Sequence, residues 1–366
     1  MARKLKSDKL LFLATVLLVC FSAVMVYSAS AVLAMDRYQQ PYLFLFKQVS
    51  WAALGLFLLY VTMRIDYRNY RQPVIIWTAL GVVAVALILV LFGPPINGTR
   101  RWFGLGGIGV QPSELAKLAA ILFTAAVLER RMDRIDELTF SLPPIAIVVG
   151  GFVGLILLQP DFGTAVTVAL IVGIMVYAAG LNYRYLIGAG LALLPVAYIL
   201  LMGVDYRRRR VLAFLDPWDD PLGDGFQIIQ SLIAVGTGGL FGRGLMGGVQ
   251  KLFYLPEPHT DFIYAVIAEE LGLFGATAVL ACFCVIAWRG LKVAVEAPDR
   301  FGALLAIGLT AMVAIQAFVN ISVVLGLLPT KGIPLPFVSA GGSSLLISLI
   351  GMGILLNVSQ HASAKA

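Results

Sequence analysis

Long apolar runs alternate along the chain with short polar segments. A helix needs about 20 apolar residues to cross a bilayer, so each run of this length predicts a membrane-spanning helix. The pattern predicts about ten spans, near residues 10–34, 44–63, 73–93, 113–129, 142–160, 163–181, 184–203, 264–288, 302–328 and 343–359.

One segment outside these runs is much longer than the other connections. Residues 204–263, between the seventh and eighth spans, are rich in Gly, Pro, Asp and Arg and are expected to form a large extracytoplasmic loop. The first run lacks a small-residue cleavage motif and is interpreted as a retained span, not a signal peptide. We therefore treat residues 1–366 as a single transmembrane domain.

Composition agrees with this pattern. The 366 residues are 60% hydrophobic and 13% charged, whereas soluble domains carry about 25% charged residues. Soluble, coiled-coil and disordered proteins are excluded, and the expected class is an all-α, polytopic integral membrane protein. The three cysteines lie in apolar runs and form no disulfide framework. Two histidines are too few for a His-based metal site; no cofactor is required, although carboxylates could hold a divalent cation.

The 27 Lys and Arg against 20 Asp and Glu give a net charge of +7, and these cations divide into two sets. With the N-terminus in the cytoplasm, 15 cations fall on the inner side, and every short inner loop carries positive charge. This distribution follows the positive-inside rule and predicts that both termini are cytoplasmic. The other 12 lie at or beyond the outer face.

Two motifs on the outer face, NGTRRW and QPSELAK, concentrate charge. An ammonium at Lys117, about one turn inside a span, must be paired or face water, and Glu114 three residues earlier can pair with it. Ser113 is placed to cap the helix. With Arg100 and Arg101, these groups predict a site for a polyanion such as a diphosphate.

The large loop holds further candidates. Lys251, in the sequence GGVQK, is a candidate binding residue. The run Arg207 to Arg210 could equally anchor the protein to anionic lipid head groups, so its role stays open.

The segment LPEPHTDF brings His259 and Asp261 to the start of the eighth span. Thr260 or Asp261 can cap the helix, but Asp261 at the rim could also reach a lipid head group and water. Glu269, about 12 Å deeper on the same helix face, and its neighbour Glu270 are expected to be structural partners of inner cations.

A third cluster, LPTKGIPLPFVSAGGSS at 328–344, contains three prolines and a Gly-Gly pair. Irregular backbone at membrane depth must be buried in protein or line a wet cavity, which predicts a re-entrant loop. Lys331, Ser339 and Ser343 are its candidate substrate-binding residues. Asp161, in QPDFGT, could cap the next helix or belong to the site.

These motifs occur in an order, and over essentially the whole chain, that resembles the SEDS family of shape, elongation, division and sporulation proteins. NGTRRW, GDGFQ and LPTKG look more like its cell-division members than its elongation members. The resemblance implies a polytopic peptidoglycan glycosyltransferase at the septum that polymerises lipid II on the outer face of the cytoplasmic membrane. It also implies a class B penicillin-binding protein transpeptidase and other divisome membrane proteins as partners, and no nucleic acid.

The resemblance also assigns residues. The family's essential aspartate matches Asp261, its QPSE-x-x-K lysine matches Lys117 with Glu114 alongside, and its basic pair matches Arg100 and Arg101. The chain has Ala340 where many members have tyrosine, so no hydroxyl role falls there.

We expect Asp261 to act as the general base for an acceptor hydroxyl and the cations to stabilise the departing diphosphate, with inversion at the anomeric carbon. Two other classes remain open. A flippase for the same lipid predicts a charged path through the bundle, for which Lys47, Lys117, Glu269 and Glu270 are candidates. A scaffold for division proteins would not need Asp261.

Overall fold

The computed structural model describes residues 7–95, 99–105, 108–252 and 254–362. Every predicted span coincides with a helix, and further short helices lie in the connections. The helices are α1 (Lys9–Tyr38), α2 (Leu43–Arg64), α3 (Pro73–Leu91), α4 (Pro112–Arg131), α5 (Leu138–Ser141), α6 (Pro143–Leu158), α7 (Phe162–Ala178), α8 (Tyr183–Met202), α9 (Asp205–Leu215), α10 (Phe226–Gly238), α11 (Ile263–Glu296), α12 (Arg300–Val324) and α13 (Gly342–Ala362), with single 3₁₀ turns at Tyr67–Arg71 and Met132–Arg134.

The helices make this a multi-pass membrane protein. Within the described residues, seven of them are long and apolar enough to cross a bilayer, namely α1, α2, α3, α8, α11, α12 and α13. The helices α6 and α7 are apolar but shorter. The helix α4 carries charge at both ends. Most of its residues are buried in the protein, so only a small part of its surface can face lipid and needs to be apolar.

Close helix packing builds the core around α12 and α13. On α13, Gly353 lies so near α2 that an added Cβ would be 2.0 Å from the Thr62 hydroxyl. Small residues allow such backbone approach between membrane helices. In contrast, α8 buries none of its residues against the rest of the protein.

A small hairpin interrupts the all-α architecture. Strands β1 (Phe103–Leu105) and β2 (Ile108–Val110) pair antiparallel, with Phe103 opposite Val110. Strands this short give no periodic signal in the sequence. The hairpin connects α3 to α4 and places Arg101 beside the start of α4.

The 204–263 segment is more ordered than the predicted loop. It contains α9 and α10, and its backbone at 239–244 inserts where α11 is interrupted at Gly272 (φ 65°, ψ −163°). The Arg243 N–H donates to the Glu269 carbonyl (3.0 Å), and the Leu273 N–H donates to the Gly239 carbonyl (2.9 Å). The inserted segment thus satisfies backbone groups that the break in the helix exposes.

Two of the predicted helix caps are wrong. Pro112 occupies the first turn of α4, which makes Gln111 the N-cap residue instead of Ser113, because the residue before proline is held extended. Neither Thr260 nor Asp261 caps α11, whose N-cap position is Phe262. The third cap is confirmed, since the Asp161 carboxylate accepts from the Thr164 N–H at 3.2 Å.

Candidate active site

Asp261 lies directly before α11 and packs against the 325–341 connection. The Asn320 amide donates to the backbone carbonyls of both Asp261 and Ile333, each at 2.8 Å. A Cβ added at Gly332 would be 2.6 Å from the Asp261 carboxylate. The absence of a side chain at this position therefore leaves room for the carboxylate.

The Asp261 carboxylate is partly accessible and has no hydrogen bond to any residue that the structure describes. Burial, followed by the negative charge of Glu257, raises its pKa to about 7. Arg210 and Arg101 act in the opposite direction and lower the pKa. A carboxyl with these properties can exchange a proton near neutral pH.

Lys331 lies in the same 325–341 connection between α12 and α13. Its ammonium lies 4.4 Å from the centre of the Phe162 ring, and its stem lies so close to Gly163 that a Cβ there would be 2.3 Å from Cε. Burial lowers the pKa of Lys331 to about 7, although Asp161 favours the charged form. Nearby Arg207, Arg101 and Arg210 also lower it, so several cations converge here.

Asp161 joins three parts of the site. Besides capping α7, it accepts hydrogen bonds from the Gln111 amide (3.0 Å) and the Thr164 hydroxyl (2.8 Å). The Arg101 guanidinium lies 3.9 Å from it. Asp161 is therefore both a helix cap and a member of the cluster.

Two of the four arginines in the 207–210 run also belong here. Arg210 donates to the Thr330 carbonyl at 3.1 Å, and Arg207 lies 5.9 Å from the centre of the Phe162 ring. The intervening Arg208 and Arg209 are exposed. Our sequence reasoning did not assign these two residues to the site, although i, i+3 spacing on a helix places both on one face.

The structure brings only part of the predicted diphosphate site together, which consists of Arg100, Arg101 and Lys117. Arg101 acts on Asp261, whereas Arg100 is exposed and donates to the Leu91 carbonyl at 3.1 Å. Lys117 forms the predicted pair with Glu114, 2.8 Å apart, and both side chains are buried. This pair lies one turn inside α4 and leaves Lys117 without an open approach.

Three other candidate substrate-binding residues, Ser339, Ser343 and His259, make contacts with neighbouring parts of the protein. Ser339 donates to the Thr260 carbonyl at 2.6 Å, and Ser343 accepts from the Gln111 N–H at 3.3 Å. The buried ring of His259 packs 4.5 Å from the ring of Phe44, and burial lowers its pKa. All three side chains thus make contacts within the protein.

The structure does not bring Lys251 to this cluster. Its ammonium is buried and lies 2.5 Å from Glu270, while Glu269 faces Arg243 at 3.8 Å. Both glutamates are structural partners of cations, as predicted. Those cations, however, come from the 204–263 segment and not from the inner loops.

The residues that the structure describes contain no group of three or more His, Cys, Asp or Glu side chains that could hold a metal ion. Among the acidic residues near the site, Glu114 is already paired with Lys117.

Comparison with known proteins gives consistent matches over the full length. Residues 8–364 match the family of FtsW, RodA and SpoVE, described as cell cycle proteins. The chain is 46% identical over 356 residues to the probable peptidoglycan glycosyltransferase FtsW of Geobacter sulfurreducens, covering 96% of this chain and 95% of that protein. It is 42% identical over 366 residues to stage V sporulation protein E of Bacillus subtilis, covering 98% and 99%.

Solved structures show the same fold. A chain from a peptidoglycan synthase complex, solved in a study of how polymerization and crosslinking are coordinated, matches with a TM-score of 0.80 and 35% identity, covering 98% of this chain and 99% of that one. The rod shape determining protein RodA of Thermus thermophilus matches with a TM-score of 0.70 and 30% identity, covering 97% of each chain.

Fold and site together define an all-α, multi-pass membrane protein that holds a cluster of charged residues around Asp261 and Lys331 at one end of the helix bundle. The chain belongs to the FtsW/RodA/SpoVE family, and this confirms the resemblance seen in the sequence motifs.

Proposed function

We propose that this protein polymerises lipid II into glycan strands on the outer face of the cytoplasmic membrane during cell division. Curated relatives that are 41% to 46% identical over nearly the whole chain are named peptidoglycan glycosyltransferases, and this chain is an enzyme of that class. The substrate, the side of the membrane and the residue roles given below are our proposals.

The observation that carries the proposal is the Asp261 carboxylate. It is partly accessible, free of hydrogen bonds from the described residues, and has a pKa raised to about 7. A base with this pKa is ionised in about half of the molecules at neutral pH and can still accept a proton readily. In the reaction it takes the proton of the acceptor C4 hydroxyl as the oxygen attacks the anomeric carbon of the donor.

The cations around Asp261 stabilise the leaving group. The reaction expels a polyprenyl diphosphate, whose growing negative charge needs neutralisation more than a proton. Arg101 and Arg210 act on both Asp261 and Lys331, and Arg207 lies near Lys331. The exposed Arg100 gives the head group a first contact at the rim. The buried Glu114–Lys117 pair supports this cluster by holding the start of α4 in place.

Attack on the face opposite the diphosphate inverts an α-linked donor to a β-linked product. One base and a set of cations are sufficient for this displacement, whereas a glycosidase uses two carboxylates that flank the bond.

A class B penicillin-binding protein transpeptidase is the proposed partner, together with other divisome membrane proteins at the septum. One matched structure comes from a peptidoglycan synthase complex that coordinates polymerization with crosslinking, and the FtsW relatives support the division role.

The flippase alternative receives less support from the structure. A transport path needs charged groups that are free to meet the substrate inside the bundle. Lys117, which suggested such a path, is closed in a buried ion pair.

Lipid II polymerisation by purified protein in vesicles, with and without the cognate transpeptidase, tests the proposal. Asp261→Asn should lose at least about 100-fold in rate, whereas Glu296→Gln, at the far end of α11, should retain full rate. EDTA tests whether a divalent cation assists. Polymerisation by Asp261→Asn at the normal rate would refute the proposal, and lipid II translocation by that variant would favour the flippase.

A further inference from the structure

A buried ion pair connects the segment that precedes Asp261 with the helices α1 and α11. The Lys251 ammonium lies 2.5 Å from Glu270 on α11 and 2.9 Å from the Ser28 hydroxyl on α1. The Ser28 hydroxyl is itself 2.7 Å from both Glu270 carboxylate oxygens. Lys251 is only 5% exposed and Glu270 is fully buried.

The same carboxylates bind the backbone of the turn that precedes Lys251. Glu270 accepts from the Met246 N–H at 3.1 Å. Its neighbour Glu269, which is also fully buried, accepts from the N–H groups of Val249 at 2.8 Å and Gln250 at 3.2 Å. Charged acceptors make strong hydrogen bonds to backbone N–H groups, so α11 holds the 246–251 turn firmly.

This turn is connected to Asp261 through a short segment that is fixed at both ends. At its start, the Leu255 N–H donates to the Gln250 carbonyl at 2.8 Å. At its end, the His259 and Thr260 carbonyls accept from the Ala340 N–H and the Ser339 hydroxyl. A shift of the 246–251 turn would therefore move one of the two supports of the Asp261 segment.

We infer that Lys251, Glu270 and Ser28 are positioning residues that set the location of the Asp261 carboxylate, and that Lys251 does not contact substrate. The inference rests on the proposed role of Asp261 as the base. Because the pair is buried and is connected to Asp261 only through the turn, its loss should slow the chemical step and leave substrate affinity unchanged. A misplacement of about 1 Å in a reacting group can lower the rate about 100-fold.

Two double variants separate positioning from stability. Lys251→Met/Glu270→Met removes both charges, and buried ion pairs replaced by apolar residues commonly regain stability. This variant should unfold at nearly the wild-type temperature, yet kcat should fall about 10- to 100-fold with KM for lipid II unchanged. Lys251→Met/Glu270→Gln keeps an acceptor for the Met246 N–H and should recover part of kcat.

The chain offers a matched control in the Arg289–Asp8 ion pair. Arg289 on α11 donates to Asp8, the N-cap residue of α1, at 2.7 Å. This pair joins the same two helices but lies about 28 Å further along α11. Arg289→Met/Asp8→Asn should therefore leave kcat unchanged.

Three results would overturn the inference: wild-type kcat in Lys251→Met/Glu270→Met, an equal loss of kcat in the control, or a loss confined to KM. The last result would return Lys251 to substrate binding. If the Met/Met variant does not fold, Ser28→Ala, which removes one hydroxyl and no charge, carries the same test of kcat against KM. These variants test the positioning role, whereas Asp261→Asn tests the role of Asp261 as the base. Normal kcat in the positioning variants together with a large loss in Asp261→Asn would therefore refute only the positioning role.

Discussion

Asp261 differs from four other acidic residues, Asp161, Glu114, Glu269 and Glu270, in what surrounds it. Asp161 accepts two side-chain hydrogen bonds, and Glu114 is paired with a lysine. Glu269 and Glu270 bind backbone N–H groups. The Asp261 carboxylate, in contrast, accepts no hydrogen bond from the residues that the structure describes. It is therefore the one among these five whose oxygens are not already engaged by another group of the protein.

The pKa of Asp261 predicts how polymerisation depends on pH. A base must be ionised to work, so kcat/KM should rise as pH increases towards about 7. Glu257 raises this pKa, so Glu257→Gln should shift the rise to lower pH. Replacing Arg210 with Gln removes a charge that lowers the pKa and should shift the rise to higher pH. Initial rates measured from pH 5.5 to 8.5, a span of about 3 units around that pKa, would show both shifts.

Glu296→Gln is the control for this experiment, because it removes a carboxylate at the far end of α11. Its profile should overlay that of the wild type. Identical midpoints in Glu257→Gln and the wild type would mean that another group controls the rise.

Lys331 predicts a decline of kcat/KM above about pH 7, so that rise and decline together give a bell-shaped profile with its maximum near pH 7. Its pKa is lowered to about 7, so in the free enzyme the ammonium loses its charge as pH rises, and a neutral amine cannot stabilise a diphosphate. Lys331→Met should lower kcat/KM and remove this decline. A bound diphosphate favours the ammonium, so the decline should be weaker in kcat.

Gly163→Ala tests the location of Lys331 without changing its charge. The added Cβ would be 2.3 Å from Cε of Lys331 and must displace that side chain. We expect the same direction of change in kcat/KM as in Lys331→Met, with little change in the unfolding temperature because the displaced group is the flexible end of a side chain. Full activity in Gly163→Ala would argue against a role for Lys331 at this location.

At the level of elements, the interruption of α11 depends on a glycine, Gly272, that cannot be substituted without displacing the backbone next to it. Gly272 has a φ of 65°, and a Cβ there would be 2.4 Å from the Gly242 nitrogen and 2.5 Å from the Leu240 carbonyl. Backbone cannot move aside as a side chain can, so Gly272→Ala should destabilise the protein by more than about 3 kcal/mol. Heating followed by size-exclusion chromatography measures this loss.

Gly154→Ala on α6 is the matched control, since no atom lies within 4 Å of the added Cβ. It should unfold at or slightly above the wild-type temperature. Equal unfolding temperatures of both variants and the wild type would mean that the 239–244 segment does not hold the break in α11.

The spans could be predicted from the sequence because each depends on a local run of apolar residues. The interruption at Gly272 could not, since the groups that fill it come from residues 239–244. The same limit applies to the site: Asp261 carries a local signal, whereas the placement of Arg210 against Thr330 depends on a contact across 120 residues. Lys117 shows the converse, because its pairing with Glu114 is local and could be predicted.

At the level of the whole molecule, the site lies where the starts of α4, α7, α11 and α13 meet. Gln111 before α4 contacts both Asp161 before α7 and Ser343 in the first turn of α13. The Asp261 segment before α11 contacts the connection that leads into α13. Helix N-termini carry partial positive charge, so this arrangement adds to the attraction that the cations exert on an anionic head group.

The side of the membrane that this end faces decides whether Asp261 can meet lipid II outside the cell. The division of the 27 cations into an inner set of 15 and an outer set of 12 predicts that the large 204–263 segment is outside and the α4–α6 connection is inside. Asp219 and Asp136 are exposed residues of these two segments. Either position, changed to cysteine after Cys20, Cys282 and Cys284 are replaced by alanine, reports the side it occupies.

A membrane-impermeant maleimide added to intact spheroplasts should label Asp219→Cys. It should label Asp136→Cys only after the membrane is permeabilised. The cysteine-free protein, which must stay unlabelled and active, is the control. The reverse labelling pattern would put Asp261 on the cytoplasmic side, where it could not polymerise glycan at the cell surface, and the inner cation set would then have to be explained by something other than topology.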